Sequence, residues 1–310
     1  MENFTIVWAF DPYTDLNDTW QATLGVIDSL DGNKEIKIHP YYVLGQEMVH
    51  WVANITPPKL ELIQPKVQDF MAKKVANFKR KDIQEPKVII SNGFSTRDDI
   101  ETFNNELQKL QPQLVVLNTH QRKGLSRFFM GSFTENFLLK CKFPTLVIPP
   151  SYKFSHKIAK TLIPTSFNDN EKPFFKDFIA GKNCFKSHLL LYSKVFHPID
   201  AFATSAATAL GGAWVSLESF SQEVVVDRMK KGDLWCGEAK EQGLKCEVKV
   251  DDNPKDFIES LLEIIKQESI DLIALPSFTG KTEAILLGSN AREIIRSSEV
   301  PVLLRHYENL

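Results

Sequence analysis

Two stretches of this chain, "FFMGSFTENFLLKCKFPTLVIPP" at Phe128–Pro150 and "ILLGSNAREIIRSSEVPVLLRHY" at Ile285–Tyr307, follow one plan. Each sets Gly-Ser after a hydrophobic run, then a helix-like stretch, then a proline that opens an apolar strand. Gly131 and Gly288 lie 157 positions apart, and so do Pro144 and Pro301. A repeat of that length is a whole domain, so one architecture is expected twice.

Aligned on that step, the halves agree element by element. Strand one is "FTIVWAFD" in the first half and "AKTLIPTS" in the second, and strand two is "EIKIHPYYVL" and "SHLLLYSKVF". A long helical stretch follows strand two in each half, then the third strands, "PKVIIS" and "KCEVKV". The third helices carry apolar residues at three- and four-residue steps, as at Phe257, Leu261, Ile264 and Ile265. The fourth strands, "QLVVLN" and "DLIALP", are nearly continuous apolar runs of the kind buried on both faces. Strands alternating with helices imply crossover connections and a parallel sheet covered on both faces. The expected fold is α/β: two tandem doubly wound domains, 1–152 and 153–310, each a five-stranded, mostly parallel sheet. "PPSYKFSHK", Pro149–Lys157, reads as an exposed linker between them.

Composition excludes several classes. A 43% hydrophobic and 25% charged chain is of the soluble globular type. Its formal charge of −2 argues against a general nucleic-acid binder. No uninterrupted apolar run reaches the length of a membrane helix, and "MENFTIVWAF" reads as a strand rather than a signal peptide. Cys141, Cys184, Cys236 and Cys246 include no C-x-x-C pair, so reduced, buried thiols in a cytoplasmic protein are expected. The segments after strand two, "GQEMVHWVANITPP" and "PIDAFATSAATALGGAWVSLESFS", are apolar and weakly charged. They are expected to pack between the halves, with a lid or pocket wall as the other reading.

The order of strand, Asp-containing turn, helices, apolar strand, loop, Gly-Ser and proline-led strand resembles the universal stress protein domain. "THQRKGLSRFFMGSFTENFLLKCKFPTLVIPP", Thr119–Pro150, carries the likeness most fully. It extends over almost the whole chain, so the sequence resembles a tandem, two-domain member of that family. The resemblance implies a stress-response regulatory or ligand-binding protein rather than an enzyme. It also implies ATP or another adenine nucleotide as the ligand of the first repeat. Nucleotide-binding members carry G-x-x-G and, further on, G-[ST]. Gly131-Ser132 and Gly288-Ser289 keep the second part, whereas the earlier glycines fall on Asn118 and Gln121, and on Leu275 and Phe278. The strand-one acid corresponds to Asp11, and Ser166 takes its place in the second half. The nucleotide-binding set so implied is Asp11, Pro40, Asn118, Gly131, Ser132, Phe133 and Thr134. Single-domain relatives pair through their last strand. Here "PTLVIPP" and "VPVLLRHY" are expected to meet within one monomer, as an intramolecular pseudo-dimer.

Physical chemistry gives these positions a use. Ligands of open parallel sheets lie beyond the carboxyl ends of the strands, where Asp11 ends strand one and Asn118 ends strand four. Gly131 lets backbone approach a ligand, and Ser132 and Thr134 supply hydroxyl donors. Asp11 can accept from a ribose hydroxyl or an adenine amine. The plainer readings are a helix cap for Gly-Ser, a turn for Asp11-Pro12, and a solvated loop for the basic run "THQRKGLSR". At most one nucleotide per chain is expected, in repeat one, because Phe278 obstructs repeat two. For the whole chain the alternative is an interaction or apolar-ligand protein whose nucleotide sites have decayed. "FTGKT" lacks the leading glycine of a phosphate-wrapping loop, the histidines show no metal-ligand spacing, and no G-x-S-x-G or H-x-G-H occurs.

Overall fold

In the computed structural model the described residues are 3–13, 17–30, 35–45, 59–119, 132–181, 185–195, 213–279, 285–286 and 288–307. They pack as two compact units, Met1–Lys157 with Ser277–Asn309, and Ile158–Pro276. Each carries a mostly parallel sheet with helices on both faces, so the α/β architecture is present twice.

The first unit runs β1 (Asn3–Ala9), α1 (Asn17–Asp28), β2 (Glu35–Leu44), α2 (Leu60–Ala76), β3 (Lys87–Ile90), α3 (Thr96–Leu110), β4 (Leu114–Asn118), α4 (Ser132–Leu138) and β5 (Thr145–Ile148). Its strands lie in the order β3-β2-β1-β4-β5, all parallel. The order therefore reverses between β1 and β4, which opens a crevice at their carboxyl ends. β1 and β4 are apolar on both faces, and Trp8, Val115 and Val116 are fully buried. α3 turns Ile100, Phe103 and Leu107 inward at helical spacing, and Ser95 with Asp98 forms its capping box. β3 is the sheet edge, and α2 covers it with amides. Gln68 Oε1 accepts from Val88 N at 2.9 Å, and Gln64 Nε2 donates to Val88 O at 2.9 Å. That leaves Val88 no backbone group for an outside strand.

The same unit includes β11 (Val302–Tyr307), after α8 (Ser289–Ser297) and the short β10 (Ile285–Leu286). β11 pairs antiparallel with β5, Val302 against Val147 and Leu304 against Thr145, so "VPVLLRHY" does meet "PTLVIPP" within one chain. This pairing is why the compact units differ from a division at 152/153, which follows the repeat. Residues 149–157 are not wholly exposed either. The Phe154 ring occupies the space a side chain at Gly25 of α1 would need, 2.3 Å from the Cβ position.

The second unit contains β6 (Lys160–Pro164), a short 3-10 turn (Asp169–Glu171), α5 (Lys172–Ile179), β7 (His188–Lys194), α6 (Ala213–Glu241), β8 (Cys246–Asp251), α7 (Phe257–Gln267) and the start of β9 (Leu272–Thr279). β9, β6, β7 and β8 lie side by side in that order, parallel throughout. α7 buries Leu261, Ile264 and Ile265, and Asp256 caps it by accepting from Ile258 N and Glu259 N at 2.6 and 3.0 Å.

Among the described cysteines one expectation is overturned. Cys236 and Cys246 form a disulfide, with Cα atoms 5.1 Å apart, while Cys141 is a buried free thiol. The cause is local geometry that Cys spacing alone does not encode. α6 is followed by Gly243 at φ +78°, and Leu244 N and Gly243 N donate back to Ala239 O and Lys240 O. This glycine-led stop folds the chain back so that the first residue of β8 meets the last turns of the helix. The apolar segments after strand two lie largely outside the described residues, although α6 begins as early as Ala213.

Candidate functional site

At the carboxyl ends of β1, β2 and β4 lies a cavity of about 180 Å³. It is lined by Ala9, Phe10 and Asp11 from the end of β1, Tyr41–Val43 from β2, Phe103 from α3, Leu117 and Asn118 from β4, and Phe133 and Thr134 from α4. Its walls are aromatic for a plain reason. β1 and β4 are apolar on both faces, so their last side chains crowd the crevice, and Phe103 of α3 and Phe133 of α4 join them from the helices. Phe133 stacks on Phe137 at 6.1 Å and tilts against Phe103 at 6.1 Å, which holds the α4 side in place.

Four of the seven residues expected at the site, Asp11, Asn118, Phe133 and Thr134, do come together. Pro40 is buried in the β1–β2 ladder opposite Trp8 and is not part of the lining. Gly131 lies outside the described residues; Ser132 opens α4, its side chain outside them as well. Sequence reasoning missed Tyr41, Tyr42 and Phe103, although residues near a strand's carboxyl end and an inward helix position were visible signals for them.

The polar groups are not equally available. Asn118 Oδ1 accepts from Trp8 Nε1 at 2.8 Å, and Asn118 Nδ2 donates to Thr23 Oγ1 at 2.8 Å. Thr23 in turn donates to Thr19 O at 2.7 Å, inside α1. Asn118 is therefore a strut that ties β4 to β1 and α1. Its replacement by leucine leaves the Trp8 N–H without an acceptor and is expected to cost about 1–3 kcal/mol in urea unfolding. Unchanged stability would show the strut to be idle.

Asp11 closes a turn by accepting from Tyr13 N at 2.9 Å, so the turn reading of "DPYTD" holds beside its place in the lining. Burial, then Asp11, Tyr13 and Asp99, raise the Tyr42 hydroxyl far above an ordinary tyrosine, and burial with Asp11 raises Tyr13. Both remain neutral donors at physiological pH. Among the described lining residues Asp11 is the one carboxylate, and none is Lys or Arg.

The second repeat treats the same place differently. After β6, Thr165 Oγ1 and Ser166 N donate to Glu171 Oε2 at 2.7 and 3.0 Å. Phe167 follows in the left-handed region at φ +58°, with its ring buried edge-on against Trp235 at 5.3 Å. Arg228 Nη1 reaches across from α6 to Ser193 Oγ at 3.0 Å. The turn after β6 is thus held by Glu171, and the Phe167 ring is packed on α6. Leu275 and Phe278 both lie in β9, where Phe278 pairs with Leu286, so backbone stays extended at the positions of the missing glycines. Among the described residues no group of three or more His, Cys, Asp or Glu could hold a metal ion, and no helix is long and apolar enough to cross a membrane.

A doubly wound α/β fold written twice carries, in its first unit, a cavity at the strand-order switch, where open α/β sheets place their ligands. The family model described as "Universal stress protein family" matches residues 48–149 and 193–306, and the chain belongs to that family. A universal stress protein from Archaeoglobus fulgidus DSM 4304 has a similar solved structure, at 13% identity and TM-score 0.58 over 97% of this chain and 98% of that one. A functionally unknown protein from Pseudomonas aeruginosa PAO1 is similar at 13% identity and TM-score 0.56, over 97% and 92%. These likenesses carry the fold. No curated protein matches the chain. Family membership supports a ligand-binding role in a stress response.

Proposed function

We propose that the protein is a non-catalytic stress-response regulator that binds one adenine nucleotide per chain, in the cavity of the first unit. The carrying observation is the cavity of the first unit, beside the different turn that follows β6. The first holds an aromatic-walled cavity with Asp11 and Thr134 on its lining, whereas Ser166 stands at the Asp11 position after β6 and gives its backbone N–H to Glu171. Flat rings suit aromatic walls, and a carboxylate suits a ribose hydroxyl or a ring amine. The same reading takes the molecule as a monomer, since β11 already occupies the free edge of β5.

Calorimetry with ATP is expected to show a stoichiometry of about one. Asp11→Ala should weaken binding roughly tenfold or more, the worth of a hydrogen bond to a charged group. Ser166→Ala, at the corresponding position of the second repeat, should change nothing. Binding that ignores Asp11→Ala would place the nucleotide elsewhere. The second reading, an apolar ring compound as the ligand, is favoured by the aromatic lining without a described cation. Mass spectrometry of molecules released on denaturation separates the two.

A further inference from the structure

The aromatic lining does not stop at the cavity. Tyr42, a wall residue, meets Tyr13 at 5.8 Å between ring centroids, and Tyr13 stacks on Phe70 of α2 at 5.5 Å with planes 22° apart. Tyr13 is 51% exposed and Phe70 38%, large values for a stacked aromatic pair. Cations flank this step. Lys74 Nζ lies 5.7 Å from the Phe70 ring centre, and Lys66 and Lys73 are exposed on the outward face of α2 beside Phe70. On a helix, positions 66, 70, 73 and 74 are three or four residues apart and share a neighbourhood. One acid, Asp69, stands among them, paired with Lys73 at 2.5 Å.

Exposed rings with ammonium groups beside them are the arrangement that stacks bases and neutralises phosphates. We propose that Tyr13 and Phe70 form a second base subsite, continuous with the cavity, so that the chain takes a dinucleotide: two bases joined by phosphates. The first base lies in the cavity, as in the function proposed above, on which this inference rests. The bridging phosphates pass Tyr13 toward Lys66 and Lys74, and the second base lies against the Tyr13–Phe70 pair. The chemistry is binding alone, and no bond is made or broken.

Calorimetry on the full chain, with ATP and diadenosine tetraphosphate as probes, tests this. The dinucleotide is expected to bind about tenfold more tightly than ATP, the worth of one stacked base. The Tyr13→Ser/Phe70→Ser variant should remove that advantage while ATP affinity stays within about twofold, as befits surface residues outside the cavity lining. Equal affinity of the two probes for the wild-type chain overturns the second subsite and leaves the cavity reading standing. An advantage that survives the double variant overturns it as well. Failure of both probes to bind overturns the cavity reading, and the second subsite with it.

Discussion

Replacing Lys194 with methionine is expected to destabilise the second unit by about 3–5 kcal/mol. Lys194 ends β7 with its side chain 2% exposed, and its ammonium sits 3.3 Å from Asp251 Oδ2. It also donates to Asn253 O, Asn253 Oδ1 and Ser260 Oγ at 2.7, 2.5 and 3.0 Å. Tyr192 donates to the same Asp251 oxygen at 2.8 Å. Methionine keeps the packing but leaves Asp251, 11% exposed, without its cation. The loss comes from stranding the partner charge, so Lys194→Met/Asp251→Leu should cost less than Lys194→Met alone. Urea unfolding of the three proteins decides it, and equal midpoints for wild type and Lys194→Met would refute the argument. The pH dependence follows from the same cluster. Burial opposes ionisation of Asp251, yet the Asn253 amide, Tyr192 and Lys194 together hold its pKa below the ordinary 3.8. A depressed carboxylate contributes stability above its unfolded pKa and loses it as pH falls through the folded value. This contribution should therefore be constant at neutral pH and decline only in strong acid, below about pH 4.

Reduction of the Cys236–Cys246 bond is expected to lower the melting temperature of the second unit by roughly 10 °C. The bond closes a loop with a sequence separation of 10, for which the chain-entropy account gives about 3 kcal/mol. It ties α6 to β8 directly beside Trp235, which stacks on Phe175 at 4.9 Å and has Lys172 Nζ 4.8 Å from its ring centre. Loosening that turn therefore disturbs the aromatic cluster that also holds Phe167. Scanning calorimetry with and without reductant measures the effect, and Cys236→Ser should reproduce the reduced value. Melting curves that coincide with and without reductant would show that the cross-link contributes nothing.

Much of the architecture was written in local spacing. Apolar runs such as "LVVLN" and "LLLY" can be satisfied only between two helix layers, and amphipathic stretches such as Phe257–Gln267 only as helices on such a sheet. Equal 157-residue steps then required the architecture twice. Strand order locates a site at the end of β1, and there Asp11 and Thr134 indeed lie on a common lining. Tertiary structure alone decided what those positions are free to do. Asn118 is committed to Trp8 and Thr23, 110 and 95 residues away in the chain, and no local pattern specifies such partners. Phe167 buries its ring against Trp235 from a backbone conformation that its residue type disfavours, so nothing in its identity announced it. β11 joins β5, and Cys236 meets Cys246 through a glycine-led turn. Sequence by itself determined which segments are strands and helices, because backbone hydrogen bonding and burial periodicity are local. Only the folded chain decided which polar and cysteine side chains pair, because that depends on distances between residues the sequence does not bring near.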